Sequence, residues 1–232
     1  MATLKVLCAR SMHVAVEAIA DGFAQSEGWR SDLHFGTVGA LQKRLDDGEA
    51  ADVVILATTM VAQLYHAGTL RPGTRRDVAR TFIAICIREG TEPPPIATLA
   101  EFEATLQAAP AVAISDPAVG GSAGIYLARL FEAMKLADVI AAKGMLQPTG
   151  AEVARRVAEG AAAFGLTLSG EIAGVPGAVI AGPLPPPIGN ETTYTAAVMA
   201  SSAAPEAAQA FIEALCAKSA EPIWTKAGFQ VP

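Results

Sequence analysis

Two rhythms of apolar residues alternate along this chain. Short runs rich in Val and Ile predict buried strands, and stretches whose apolar positions return every three or four residues predict amphipathic helices. Leu4 to Leu7 is the first run. From Val14, the residues Ala18, Ile19 and Phe23 recur at helical spacing, with Glu17, Asp21 and Gln25 between them. "LHFGTV" reads as a second strand, "GALQKRLDDGEA" as a helix ending near Gly48, and "ADVVILA" as a buried strand. "MVAQLYHAGTL" is helical up to Gly68, and "TFIAICIREG" is a long β-rich run. "TLAEFEATLQAA" opens with Thr98 and carries Glu101 three residues on, the spacing of a capping box.

The alternation continues with a strand at "AVAISDP" and a helix starting near Ser122 in "GSAGIYLARLFEAMKL". "GAEVARRVAEG" follows as a helix and "AAFGLTLSG" as a strand. "GPLPPPIGN" is too rich in proline for regular structure and reads as a rigid connection. "TTYTAAVMAS" returns as a strand, "APEAAQAFIEALCA" is a helix, and "AEPIWTKAGF" closes the chain. Strands alternating with helices predict an α/β fold whose parallel sheets are covered by helices.

Composition narrows the function. The 232 residues suffice for a large core and two lobes. The chain is 52% hydrophobic, yet no apolar run is long enough to span a bilayer. With 17 basic residues against 23 acidic ones and no basic cluster, nucleic acid is not an expected partner. Cys8, Cys86 and Cys216 are widely spaced and odd in number, with no metal-site spacing and no disulfide framework. "MATLKVLCAR" lacks the features of a secretory signal. The expected location is therefore cytoplasmic if Met1 is the natural start, and periplasmic if a signal peptide was removed.

Candidate chemistry gathers at "CARSMH". Ser11 stands where strand gives way to helix and reads as an N-cap. A strand end followed by a helix start is also a place where free N–H groups and the helix dipole favour an anion. Arg10 is either a clamp for that anion or a solvated charge. His13, in the first helical turn, is a neutral hydrogen-bonding group, a proton carrier or a bystander. Cys8 reads as a small buried apolar residue. Thr58 and Thr59 either cap the next helix or bring amides to the same anion.

Four segments in order resemble the periplasmic molybdate-binding protein family, of the type II solute-binding fold. "VLCARSMHVAVEAIADGF" is similar to that family's opening, with Ser11 at its ligand-binding serine. "FGTVGALQKRLDDGEAADVVILA", "SDPAVGGSAGIYLARLFEAM" and "AEPIWTKAGF" resemble its later motifs, the second of these placing Ala123 at a ligand-contacting amide. The resemblance implies two α/β lobes with an interlobe ligand cleft. Lobe one would hold residues 1–80 and 195–232, and lobe two 81–194. It also implies a small-molecule anion as ligand and a membrane transporter permease as partner.

Three departures redirect the ligand. Thr37 and Val38 stand where the family has paired serines, Leu168 where it has a tyrosine, and Arg10 where it has a small residue. A guanidinium pairs with a planar carboxylate through two parallel hydrogen bonds, and Val38 and Leu168 would add apolar walls. A small organic carboxylate is thus expected, with molybdate and tungstate bound poorly. The expected ligand set is Arg10, Ser11, Thr37, Val38, Gly39, Thr58, Thr59, Ser122, Ala123, Gly124 and Leu168. Two function classes follow. One is a binding protein resembling the receptor of a molybdate-type transporter. The other is a cytoplasmic isomerase-type enzyme, with His13 or Glu171 moving a proton. No motif for a nucleotide, zinc or activated nucleophile is found, so any chemistry is expected to proceed without cofactor or metal.

Overall fold

The computed structural model describes residues 2–232. The chain begins with β1 (Thr3–Ala9), a 3-10 turn (Arg10–Met12), α1 (His13–Glu27), β2 (Arg30–Gly36), α2 (Val38–Asp46), β3 (Val53–Ala57) and α3 (Thr58–His66). The long strand β4 (Arg76–Arg88) leads to α4 (Leu99–Ala108), β5 (Val112–Ser115), α5 (Ser122–Ala133), α6 (Ala137–Lys143) and β6 (Gly144–Gln147). Next come α7 (Gly150–Ala158), β7 (Phe164–Leu168), α8 (Ser169–Ile172), β8 (Ala178–Pro183) and β9 (Glu191–Val198). α9 (Pro205–Cys216) and α10 (Glu221–Lys226) end the chain.

The chain divides into two compact units, one of residues up to Arg80 together with Thr192–Pro232, the other of Thr81–Glu191. In the first unit β1 pairs in parallel with β2 and β3, and β9 pairs antiparallel with β3. Strand periodicity separates two cores. Leu4, Val6 and Cys8 of β1 join Ile55, Ala196 and Val198 under Phe23, Phe211 and Trp224. Leu7, Val54, Leu56 and Ala197 point the other way, against Leu41, Met60, Val61 and Leu64. Helices therefore cover both faces, which is why these strands read as continuous apolar runs.

The second unit repeats the plan. β5 pairs in parallel with β6 and β7, while β4 pairs antiparallel with β7 and with β8. Ile83, Ile85, Ile114 and Leu166 pack with Phe102, Leu106, Leu127 and Phe131. Ala84, Cys86 and Ala113 face Val153, Val157 and Ile172 of the other layer. Gly165 lets α7 pack closely on the sheet, since a Cβ there would lie 2.7 Å from Val153 Cγ1.

The α/β class holds, but the sheets are mixed rather than parallel. β9 runs antiparallel to β3, and β4 runs antiparallel to β7 and β8. β8 lies just before the proline-rich connection and is hidden in the sequence by it. No helix of the described residues is long and apolar enough to cross a membrane.

Candidate functional site

In the first unit the carboxyl ends of three parallel strands each run straight into a helical turn. Ala9 leads to Arg10, Gly36 to Thr37, and Ala57 to Thr58. The register pairs Ala9 with Gly36 and Cys8 with Ile55, so these exits line one edge of the sheet. β9 begins at the same edge, with Tyr194 opposite Ala57. Such an edge is where open α/β sheets take ligands, because helix N-termini bring unpaired N–H groups to it.

Ser11 does not cap α1. It lies inside the 3-10 turn, whose residues leave no side-chain cap bond at either helix start. Its hydroxyl instead meets Tyr194 Oη at 2.8 Å, and both residues are buried. Arg10 beside it is exposed, and among the described residues its guanidinium has no hydrogen bond or ion pair. A guanidinium left without a carboxylate at a strand-end edge is chemically ready for an anion. His13 Nδ1 lies 3.1 Å from the Arg10 carbonyl oxygen. A carbonyl only accepts, so Nδ1 carries the proton in that contact and Nε2 faces elsewhere. Cys8 is fully buried, and burial pushes its thiol well above the usual range.

Thr37 caps α2, accepting from the Ala40 amide at 3.3 Å. Val38 is half-buried against the core behind it, and Gly39 is exposed. Neither Thr58 nor Thr59 caps α3 with its side chain. Thr58 Oγ1 lies 3.1 Å from the Thr193 carbonyl and 2.8 Å from Thr195 Oγ1, and Thr195 donates to Asp77 Oδ1 at 2.6 Å. Thr195 commits its one hydroxyl proton to Asp77, and the single hydroxyl proton of Thr58 is shared between the Thr193 carbonyl and Thr195 Oγ1.

The second unit has a polar cluster of its own at the ends of β5 and β7. Thr167 Oγ1 donates to Glu171 Oε2 at 3.0 Å and lies 3.1 Å from Ser115 Oγ, which by the same proton count donates to it. Thr81 and Ser169 share a bond of 2.8 Å between hydroxyls. Gly124, in the first turn of α5, presses on the end of β5: a Cβ there would lie 2.8 Å from the Ser115 carbonyl oxygen. This close seat positions the turn Ser122–Ala123–Gly124 at that strand end. Leu168 belongs to the core of the unit, 5% exposed, rather than to an open wall.

Within the first unit the structure thus brings Arg10, Ser11, Thr37 and Thr58 to one sheet edge. Within the second it brings Ser122, Ala123, Gly124 and Glu171 to the ends of β5 and β7. Sequence reasoning missed Tyr194, Thr195 and Asp77 in the first unit, and Ser115 and Thr167 in the second. A buried tyrosine must place its hydroxyl on a partner, which is the one signal that Tyr194 offered. Among the described residues no group of three or more His, Cys, Asp or Glu side chains is placed to hold a metal.

The family model for bacterial extracellular solute-binding proteins matches residues 4–230. A protein of a Pseudomonas species named aconitate isomerase is 33% identical over 227 residues, covering 94% of this chain and 84% of that protein. The periplasmic molybdate-binding protein of Azotobacter vinelandii superposes with a TM-score of 0.76 at 21% identity, covering 99% of both chains. The sulfate-binding protein SubI of Mycobacterium tuberculosis H37Rv superposes with a TM-score of 0.74 at 18% identity, covering 100% of this chain and 87% of that one.

Proposed function

Because the chain belongs to the bacterial extracellular solute-binding protein family, we propose that it binds a small organic polycarboxylate, with aconitate and citrate as the representative chemistry. One observation carries this proposal: Arg10 presents an exposed guanidinium, without a partner among the described residues, beside the buried Ser11 hydroxyl. Arg10 takes a carboxylate through paired N–H donors, and Ser11 and the amides from Thr37 to Gly39 and at Thr58 and Thr59 take the remaining oxygens. As a receptor the protein would work outside the cytoplasmic membrane and hand its ligand to a transporter permease.

Calorimetry with trans-aconitate, citrate, molybdate and sulfate tests the ligand class. The tricarboxylates should bind and the oxoanions should not. Arg10→Ala should weaken tricarboxylate binding at least about 30-fold, the equivalent of ~2 kcal/mol for removing one partner of a charge pair. Molybdate binding tighter than any carboxylate would overturn the assignment.

A second function is favoured by the relative named aconitate isomerase, 33% identical across nearly the whole chain. Here the bound acid is isomerised without cofactor. A base takes a proton from the methylene carbon, the electron pair shifts the double bond, and a proton returns to the other end of the allylic system. His13, through Nε2, and Glu171 are the candidate proton carriers. Proton NMR of cis- and trans-aconitate in D2O reads both interconversion and deuterium uptake. His13→Gln or Glu171→Gln should cut turnover about 10²–10⁴-fold while leaving binding in place. Binding without interconversion leaves the receptor function alone.

A further inference from the structure

Ser11 and Tyr194 form one of the most deeply buried hydroxyl pairs of the first unit, at 5% and 3% exposure. A serine hydroxyl alone turns among three staggered positions. A phenol oxygen is fixed once its ring is fixed, and the ring of Tyr194 is held from two sides. Its backbone pairs with Ala57 in the β3–β9 ladder. Its ring meets Phe229 edge-on, with centroids 6.3 Å apart at 69°, and Phe229 in turn meets Trp224 at 5.5 Å and 75°. Trp224 is fully buried and donates its Nε1–H to the Leu215 carbonyl at 2.9 Å. The Phe229 amide donates to the Trp224 carbonyl at 3.0 Å. The C-terminal motif "AEPIWTKAGF" therefore ends in an aromatic stack whose last contact is the ring beside Ser11.

We propose that Tyr194 is a positioning residue for the carboxylate site, holding Ser11 Oγ in one rotamer, and that the Trp224–Phe229 stack holds Tyr194 in place. This rests on the carboxylate function assigned above, in which Ser11 touches the ligand. A hydrogen bond that merely satisfied two buried hydroxyls would affect folding stability and nothing else. A positioning bond couples to the ligand through Ser11 and through no other route. The C-terminal motif then serves ligand recognition from a place that touches no ligand.

The test is a double-mutant cycle on the full chain, with citrate and trans-aconitate as calorimetric probes and urea unfolding alongside. Tyr194→Phe removes only the hydroxyl and should weaken binding about 5- to 20-fold, the loss of roughly one hydrogen bond to the ligand. In the Ser11→Ala background the same change should have no further effect on affinity. Phe229→Leu, which keeps the phenol but loosens its seat, should weaken binding in the wild-type background and not in Ser11→Ala. This second variant serves if Tyr194→Phe does not fold. Unchanged affinity in Tyr194→Phe, or an equal loss with and without Ser11, overturns the inference while leaving the carboxylate function standing. Failure of the wild-type protein to bind either acid overturns both.

Discussion

Gly150 and Glu171 share a space that only glycine leaves open: a Cβ on Gly150 would run into Glu171 Oε2 and Thr167 Oγ1. The carboxylate of Glu171 thus sits against the first residue of α7, where a helix N-terminus favours negative charge. The carboxylate could swing away from an added methyl group. Thr167 cannot, because it is fully buried in β7 and bonded to Ser115. Gly150→Ala should therefore cost about 1–3 kcal/mol, as overpacking does, read as a lowered urea midpoint with an unchanged slope. If the isomerase function holds, turnover should fall with it, since Glu171 is displaced.

The three thiols should separate cleanly by reactivity. Cys8 and Cys86 are buried, with burial pushing Cys86 up to about 12 and Cys8 well above its usual range. Cys216 is exposed, its thiol raised mainly by partial burial. Ellman's reagent at mildly alkaline pH should titrate one thiol in the folded protein and three after unfolding. The Cys216→Ala variant should show none while folded.

Glu49 ties α2 to β1. Arg44 donates two bonds of 2.5 Å to its carboxylate, and Lys5 Nζ lies 2.8 Å away. The hydrogen bond from Arg44, then that from Lys5, holds Glu49 at about 2, below its ordinary 4.5. A carboxylate depressed in the folded state stabilises above its unfolded pKa, and that contribution disappears as pH falls through the folded value. The difference in Tm between wild type and Glu49→Gln should be constant near neutrality and shrink between about pH 4.5 and 2. Solvent exposure keeps the effect small and salt-sensitive.

Thr195 links Thr58 to Asp77 and is 3% exposed. Thr195→Val keeps its shape but removes the hydrogen bond to the Asp77 carboxylate, while the exposed Asp77 and Thr58 stay solvated, so a loss of about 1–2 kcal/mol is expected. Thr58→Val, at an exposed position, should cost less than ~1 kcal/mol. Equal losses in the two variants would mean that burial does not govern this chain of hydroxyls.

What the sequence made legible was local. The runs at β1, β3, β5 and β7 are buried on both faces, so they read as strands without knowledge of their neighbours. The Thr98–Glu101 capping box is complete within four residues, and both of its bonds form. Pairing direction was not legible, because β9 finds β3 across 145 positions, as in Val53 against Val198. Ser11 misled for a related reason. Its residue type suits a cap, but the 3-10 turn points its hydroxyl to a tyrosine 183 residues away. Arg10 and Ser11 were identifiable by type; Tyr194, Thr195 and Asp77 matter only through contacts that spacing does not reveal.

The order of the strands has a consequence for how the protein is made. β1, β2 and β3 leave the ribosome within the first quarter of the chain, but the strand that closes their sheet is β9, near its end. Until then β3 carries an open edge of Val53, Val54, Ile55 and Leu56, apolar on both faces. All of Thr81–Glu191 is a self-contained unit that can fold in the interval. A nascent chain halted before Glu191 would therefore hold one finished half and one with an exposed, aggregation-prone edge. That intermediate is the species for which a holdase chaperone would compete. Release from it, and completion of the Ser11–Tyr194 pair, come together with the last strand.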